Sequence, residues 1–171
     1  MAVIFEDTRQ KVGQHESKRR AFEEAGYTVE RTKLYVGDYM LPGGTVCVDT
    51  KQHIYELAAD VRQQHERFRS ECERALDAGY KLVILVENED GVSDIWDLAD
   101  WIEPMPHFAA RQKKSKGRVK RRLSGTQLFK ACRTMEARYG TRFEFCEPAR
   151  AGARVLSILD GEVVTDARDD A

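Results

Sequence analysis

At 171 residues the chain is long enough for one domain with a real core and too short for two comfortable ones. It carries 28 Lys and Arg against 29 Asp and Glu, a formal net charge of −1, which excludes a protein held to nucleic acid by bulk charge and leaves only a local basic groove. Cys47, Cys72, Cys132 and Cys146 lie far apart, with no C-x-x-C pair and no His at ligand spacing; this argues against structural zinc and suits free thiols in a reducing cytoplasm.

Residues 2–5 form a short apolar run, read as a buried strand ending at Glu6 and Asp7. No basic region or long apolar stretch precedes it, so neither export nor a membrane is expected. Residues 14–25 read as a helix closed by Gly26. Residues 27–36 are rich enough in β-branched and aromatic side chains for a strand. Gly37-Asp38-Tyr39-Met40-Leu41, the turn Pro42-Gly43-Gly44 and residues 45–51 then make a hairpin signal. A long helix is predicted over 53–78, with Ile54, Leu57, Ala58, Val61, His65, Phe68, Cys72, Ala75 and Leu76 on one buried stripe.

Residues 81–86 are apolar almost throughout, as in a strand covered on both faces. A helix over 126–139 closed by Gly140, a strand over 142–145 and a last helix or turn from Pro148 to Leu159 complete the order. This is an α/β pattern around a mixed sheet. The pattern breaks between 88 and 123, where Trp96, Trp101, a Pro104-Met105-Pro106 break and a basic run fall. The chain therefore reads as one domain over 1–162 with an insert at 88–123, then a polar tail over 163–171.

In a strand, residues two apart share a face, so Cys47, Asp49 and Lys51 point away from Val46 and Val48. With Pro42 to Thr45 as the loop, Leu41 pairs with Val46, Tyr39 with Val48 and Asp38 with Asp49. That register gathers Leu41, Tyr39, Val46 and Val48 on one apolar face, with Asp38, Asp49 and Lys51 on the other; a one-residue slip would mix the sets. Adjacent carboxylates raise each other's pKa unless a cation lies between them. Oxygen ligands with open positions suit Mg²⁺, with Mn²⁺ as a substitute. A lysine beside them can orient or deprotonate an attacking water. The set therefore fits metal-dependent phosphodiester hydrolysis. Asp7 and Glu56 are candidate further carboxylates. By itself D-x-K is common and marks many solvated strand ends, so order and context carry the reading.

Those residues resemble the nuclease domain of the XPF family of structure-specific endonucleases, a branch of the PD-(D/E)xK superfamily. Phe5-Glu6-Asp7-Thr8-Arg9-Gln10 looks like the family's aspartate-x-arginine-glutamate strand end, Gly37-Asp38-Tyr39 is similar to its Gly-Asp-aromatic motif, and Asp49-Thr50-Lys51 falls at its glutamate-arginine-lysine signature. Residues 82–87 and 127–147 resemble its next core strand and its closing helix and strand.

The resemblance implies a three-layer restriction-endonuclease-like core, metal binding by Asp38 and Asp49, a catalytic Lys51 and a supporting Asp7. Three departures stand out: Asp49 for a glutamate, Thr50 for the arginine, Gln10 for a glutamate. The family's acid after the lysine is displaced by one position, to Glu56. Members usually add a helix-hairpin-helix domain for DNA binding and subunit pairing; this chain leaves no room for one, which points to a homodimer or a separate DNA-binding partner.

Arg9, Lys113, Lys114, Lys116, Arg118, Lys120, Arg121 and Arg122 are the candidate DNA contacts, whose grip would weaken steeply with salt. A solvated loop is the plainer reading of such a run. Packing is preferred over base stacking for Trp96 and Trp101. The expected function is a metal-dependent DNA endonuclease acting on branched DNA in repair or recombination. Its rivals are a non-catalytic DNA-binding or scaffolding module and an RNA nuclease of similar fold.

Overall fold

The structure, a computed structural model, describes residues 2–11, 13, 15–103 and 123–161. Six strands form one sheet: β1 (Ala2–Asp7), β2 (Tyr27–Thr32), β3 (Tyr39–Met40), β4 (Val46–Lys51), β5 (Lys81–Glu87) and β6 (Arg142–Cys146). Their order is β2-β1-β3-β4-β5-β6. Only β3 pairs antiparallel, with β1 and β4 on either side, so the other five strands run one way. The carboxyl ends of β1, β4 and β5 thus meet the start of β3 at one edge of the sheet, where α/β folds place ligands.

Helices cover both faces, giving the expected three layers. On one face α2 (Ile54–Gln63), α3 (His65–Asp77) and α4 (Gly125–Tyr139) pack over Cys47, Leu82, Ile84, Val86 and Phe143. On the other, α1 (Glu16–Glu24) and α5 (Ala151–Leu159) pack over Ile4, Tyr39, Val48, Val83 and Leu85. The alternation of β5 between the two cores explains why its sequence is apolar throughout. α4 opens on a Ser124–Gln127 capping box and closes on left-handed Gly140, which satisfies its end groups locally. No helix among the described residues is long and apolar enough to cross a membrane.

Two elements differ from the sequence expectation. The helix predicted over 53–78 breaks at Gln64, which ends α2 and starts α3 with ψ 24°. Between Arg62 and Arg67 no residue is buried, so nothing holds that turn on the core; the stripe resumes at Phe68, and His65 and Leu76 are exposed rather than on it. β2 ends at Thr32, short of the expected Val36, because Leu34 N–H leaves the sheet ladder and donates to Asp7 Oδ2 at 2.9 Å. Trp101 is buried with its indole N–H on Asp90, and Trp96 packs on Phe129 at 5.2 Å, so both serve as packing residues. The expected basic run of Lys113, Lys114, Lys116, Arg118, Lys120, Arg121 and Arg122 lies outside the described residues, as does the tail.

Candidate active site

The hairpin forms in the expected register, Tyr39 opposite Val48 and Met40 opposite Cys47. Asp38 N–H donates to the Val48 carbonyl at 2.7 Å, and Asp7 N–H donates to the Asp38 carbonyl at 2.8 Å, which locks the three strand ends together. Gly37 makes the approach possible. Its φ of +71° is in the left-handed region, and a Cβ there would stand 3.0 Å from the Val48 carbonyl oxygen. Gly37→Ala is therefore expected to cost about 1–2 kcal/mol from backbone handedness alone, read as a lower urea midpoint with an unchanged slope.

The polar face of this hairpin is not open to water. α2 and α3 roof it, and Asp38, Asp49, Thr50 and Lys51 are each under a tenth exposed. Asp38 Oδ2 accepts from both Thr50 N–H and Thr50 Oγ1 at 2.8 Å, and the nearby Gln10 side chain also favours the charged form of this carboxyl group. Lys51 Nζ stands 2.8 Å from Asp49 Oδ2 and 2.8 Å from Asp60 Oδ2, with the Phe68 ring centroid 5.4 Å away.

Charge at the site is unbalanced. Burial pushes Asp38 above its ordinary carboxylate value despite the Thr50 hydrogen bonds and the Lys51 charge. Burial pushes Asp49 up further; the Lys51 ammonium opposes that rise, and the neighbouring charges of Asp38 and Glu71 add to it. Lys51 moves the opposite way: burial alone would lower it, but two carboxylates hold its ammonium charged well above the usual lysine range. Lys51 is thus shared between two carboxylates, Asp49 and Asp60, while Asp49 has that one ammonium in contact and the charges of Asp38 and Glu71 bearing on it.

That environment fits a cation. Asp49 Oδ2 is buried, and no polar group among the described residues meets it apart from the Lys51 ammonium. No group of three or more His, Cys, Asp or Glu side chains among the described residues is arranged to hold a metal ion. A donor set of two carboxylates is hard, oxygen-only and open, which suits Mg²⁺ or Mn²⁺ with water and substrate oxygens filling the remaining positions.

Asp7 and Arg9 sit at the same edge. Asp7 Oδ1 accepts from Arg9 N–H at 2.6 Å and Arg9 Nε at 2.8 Å; Asp7 Oδ2 accepts from Arg9 Nη2 at 2.8 Å and from Leu34 N–H. Burial alone would raise Asp7, but the Arg9 and Leu34 donors bring it below its ordinary value. Both of its oxygens are taken, so Asp7 fixes Arg9, whose exposed guanidinium also lies within the field of Glu71 and Asp38.

Glu56 does not join the cluster. Its carboxylate turns back to accept from Gln52 N–H at 2.8 Å, at the start of α2. Glu87 faces the opposite side of the sheet and pairs with buried Lys18, near His15. Asp60 takes up a position the sequence reading did not assign, and Glu71, which that reading puts on a polar face of the long helix with cleft and solvent equally open to it, turns to the site. Asp60 reaches Lys51 from α2, and Glu71 of α3 accepts from Gly37 N–H at 3.2 Å while its charge bears on Asp49. Their one sequence signal is an acid directly flanking the buried stripe, beside Ala58 and Val61 for Asp60 and beside Cys72 for Glu71.

The ERCC4 domain matches over residues 7–159. Among solved structures, XPF from Aeropyrum pernix is similar with a TM-score of 0.59 and 19% identity, covering 92% of this chain and 62% of that one. XPF from Aeropyrum pernix in complex with DNA is similar with a TM-score of 0.59 and 18% identity, covering 98% of this chain and 70% of that one. This chain thus spans less than two thirds of the first of these, and at such identity the likeness is one of fold. No curated protein matches. The match across nearly the whole chain agrees with the motif order at Asp7, Gly37-Asp38 and Asp49-Thr50-Lys51, and it places this protein in the ERCC4 domain family.

Proposed function

We propose that this chain is a divalent-metal-dependent DNA endonuclease domain that hydrolyses phosphodiester bonds in branched or structured DNA during repair or recombination. The observation that carries the reading is the pair of buried, under-compensated carboxylates, Asp38 and Asp49, beside the ammonium of Lys51 at the carboxyl edge of the sheet. DNA as substrate draws support from the similar XPF structure, which is a complex with DNA. The four free cysteines, three of them buried, suit a reducing intracellular setting.

Hydrolysis forms a bond from a water oxygen to phosphorus and breaks the bond from phosphorus to the leaving sugar oxygen. A Mg²⁺ or Mn²⁺ ion on Asp38 and Asp49 would supply Lewis-acid stabilisation of the developing negative charge. The Thr50 backbone and hydroxyl donors fix the rotamer of Asp38. Lys51, held as an ammonium, serves as a donor that orients water and offsets phosphate charge; a base at this position would have to be neutral. Arg9, anchored by Asp7, presents a second cation at the rim for a neighbouring phosphate. Scission of two strands calls for a second copy of the chain or a separate DNA-binding partner.

A non-catalytic, DNA-binding version of the fold is the competing reading, and Thr50 in place of an arginine favours it. Flap, fork, four-way and linear DNA, with RNA alongside, incubated in Mg²⁺ or Mn²⁺ against EDTA, separates the two. Metal-dependent product on branched DNA is the expected result. Binding without product in any metal would leave the scaffold.

A further inference from the structure

Lys51 has two carboxylate partners, and only one of them lies in the cation-binding set. Asp49 Oδ2 and Asp60 Oδ2 are each 2.8 Å from its Nζ, while Asp60 comes from α2, nine residues past Lys51 at the end of β4. The three side chains are almost enclosed, with exposures of 10%, 10% and 15% for Lys51, Asp49 and Asp60. In such surroundings an ammonium stripped of its counter-charge is expensive, so Lys51 cannot simply release Asp49 to solvent. A cation arriving at Asp49 would have to share that carboxylate with Lys51, whose Nζ already stands against Oδ2. Asp60 removes that conflict: it gives Lys51 a partner that persists when Asp49 turns to the metal.

We infer that Asp60 is a positioning residue that keeps a counter-charge on the Lys51 ammonium when Asp49 engages a divalent cation, so that the cation and Lys51 are accommodated together. The inference rests on the proposed metal site at Asp38 and Asp49. Without Asp60, the whole Lys51 charge falls on Asp49, and cation binding has to break that pair with no replacement. The effect runs through Lys51. Simple loss of a nearby negative charge is a different matter: the charges bearing most on Asp49 are those of Lys51, Asp38 and Glu71.

The test is Mn²⁺ binding to the full chain without DNA, followed by calorimetry or by loss of the free-ion electron paramagnetic signal. Asp60→Asn is expected to weaken Mn²⁺ binding by about tenfold or more, an ordinary size for coupling between contacting charged residues. In a Lys51→Gln background, which keeps a hydrogen-bonding side chain between the two acids, the same change is expected to weaken binding less than about threefold. Asp60→Glu restores most of the affinity. In cleavage, Asp60→Asn at saturating Mn²⁺ is expected to lower kcat with little change in KM for DNA.

Equal weakening in both backgrounds would mean a bulk charge effect and overturn the role given to Asp60. So would unchanged Mn²⁺ affinity of a folded Asp60→Asn protein. Absence of Mn²⁺ binding by the unsubstituted chain would remove the metal site itself and this inference with it, an outcome distinct from the other two.

Discussion

Asp49→Asn is expected to lower cleavage by roughly 10²–10³-fold or more, the usual loss when one preorganised electrostatic group is taken from a hydrolytic site. The side chain keeps its shape and its place on β4 opposite Ile84, so DNA affinity should change little. Gel-based cleavage beside a binding titration in Ca²⁺ or EDTA reads both. Cutting within a few-fold of the unsubstituted protein would take Asp49 out of the mechanism.

Lys51→Ala is also expected to abolish cleavage, but it is a less selective probe than the hairpin pattern implies. Removing that ammonium leaves Asp49 and Asp60 buried against each other with no counter-charge. Breaking a buried pair in this way costs about 3–5 kcal/mol. The sequence alone, with Lys51 on a solvent-facing strand end, leads one to expect an intact fold. The roof of α2 and α3 changes that expectation, so loss of activity at Lys51 has to be read beside a melting curve.

The reason the roof was not legible is physical. Alternation along residues 46–51 reports which side chains share a face, and it correctly separates Val46 and Val48 from Asp49 and Lys51. It does not report what covers the second face. A buried ion cluster and a wet one have the same period of two. The helix break at Gln64 is hidden in the same way, because the apolar spacing from Leu57 through Phe68 to Cys72 stays in phase across it. What could be read was the register. Tyr39, Val46 and Val48 admit one pairing that buries no acid among them, and that pairing formed.

The departures from the family pattern look different once placed. Thr50 and Gln10 were the two positions favouring a silent site. The Thr50 hydroxyl donates to the Asp38 carboxyl group and the Gln10 amide lies near it, so neutral groups support this carboxylate where the family pattern has an arginine and a glutamate. Spacing could not show this, since Gln10 and Asp38 are brought together only when β1 and β3 pair.

A second large effect should appear in stability, with no substrate present. Asp38 and Asp49 have pKa values raised above the ordinary 3.8 in the folded protein, Asp49 the more so. Between the unfolded and the raised folded values, the native state therefore binds more protons than the unfolded chain. Stability must fall as pH rises through that window, and the penalty is complete above the folded value. Asp7 works in the opposite direction, with its lowered value adding stability that is present at neutral pH and lost in acid. In EDTA, the metal-free protein should gain stability from Asp49→Asn at pH 8, by roughly 1–3 kcal/mol, as expected for relief of a buried group short of a partner. At pH 4 the gain should shrink, because the native carboxyl group is then already protonated. After the change Lys51 retains Asp60 as a one-to-one partner, so no buried cation is orphaned. Urea unfolding at the two pH values gives the comparison. A variant less stable than the unsubstituted protein at pH 8 would show that Lys51 satisfies Asp49 fully, and that the site has no charge deficit for a divalent ion to fill.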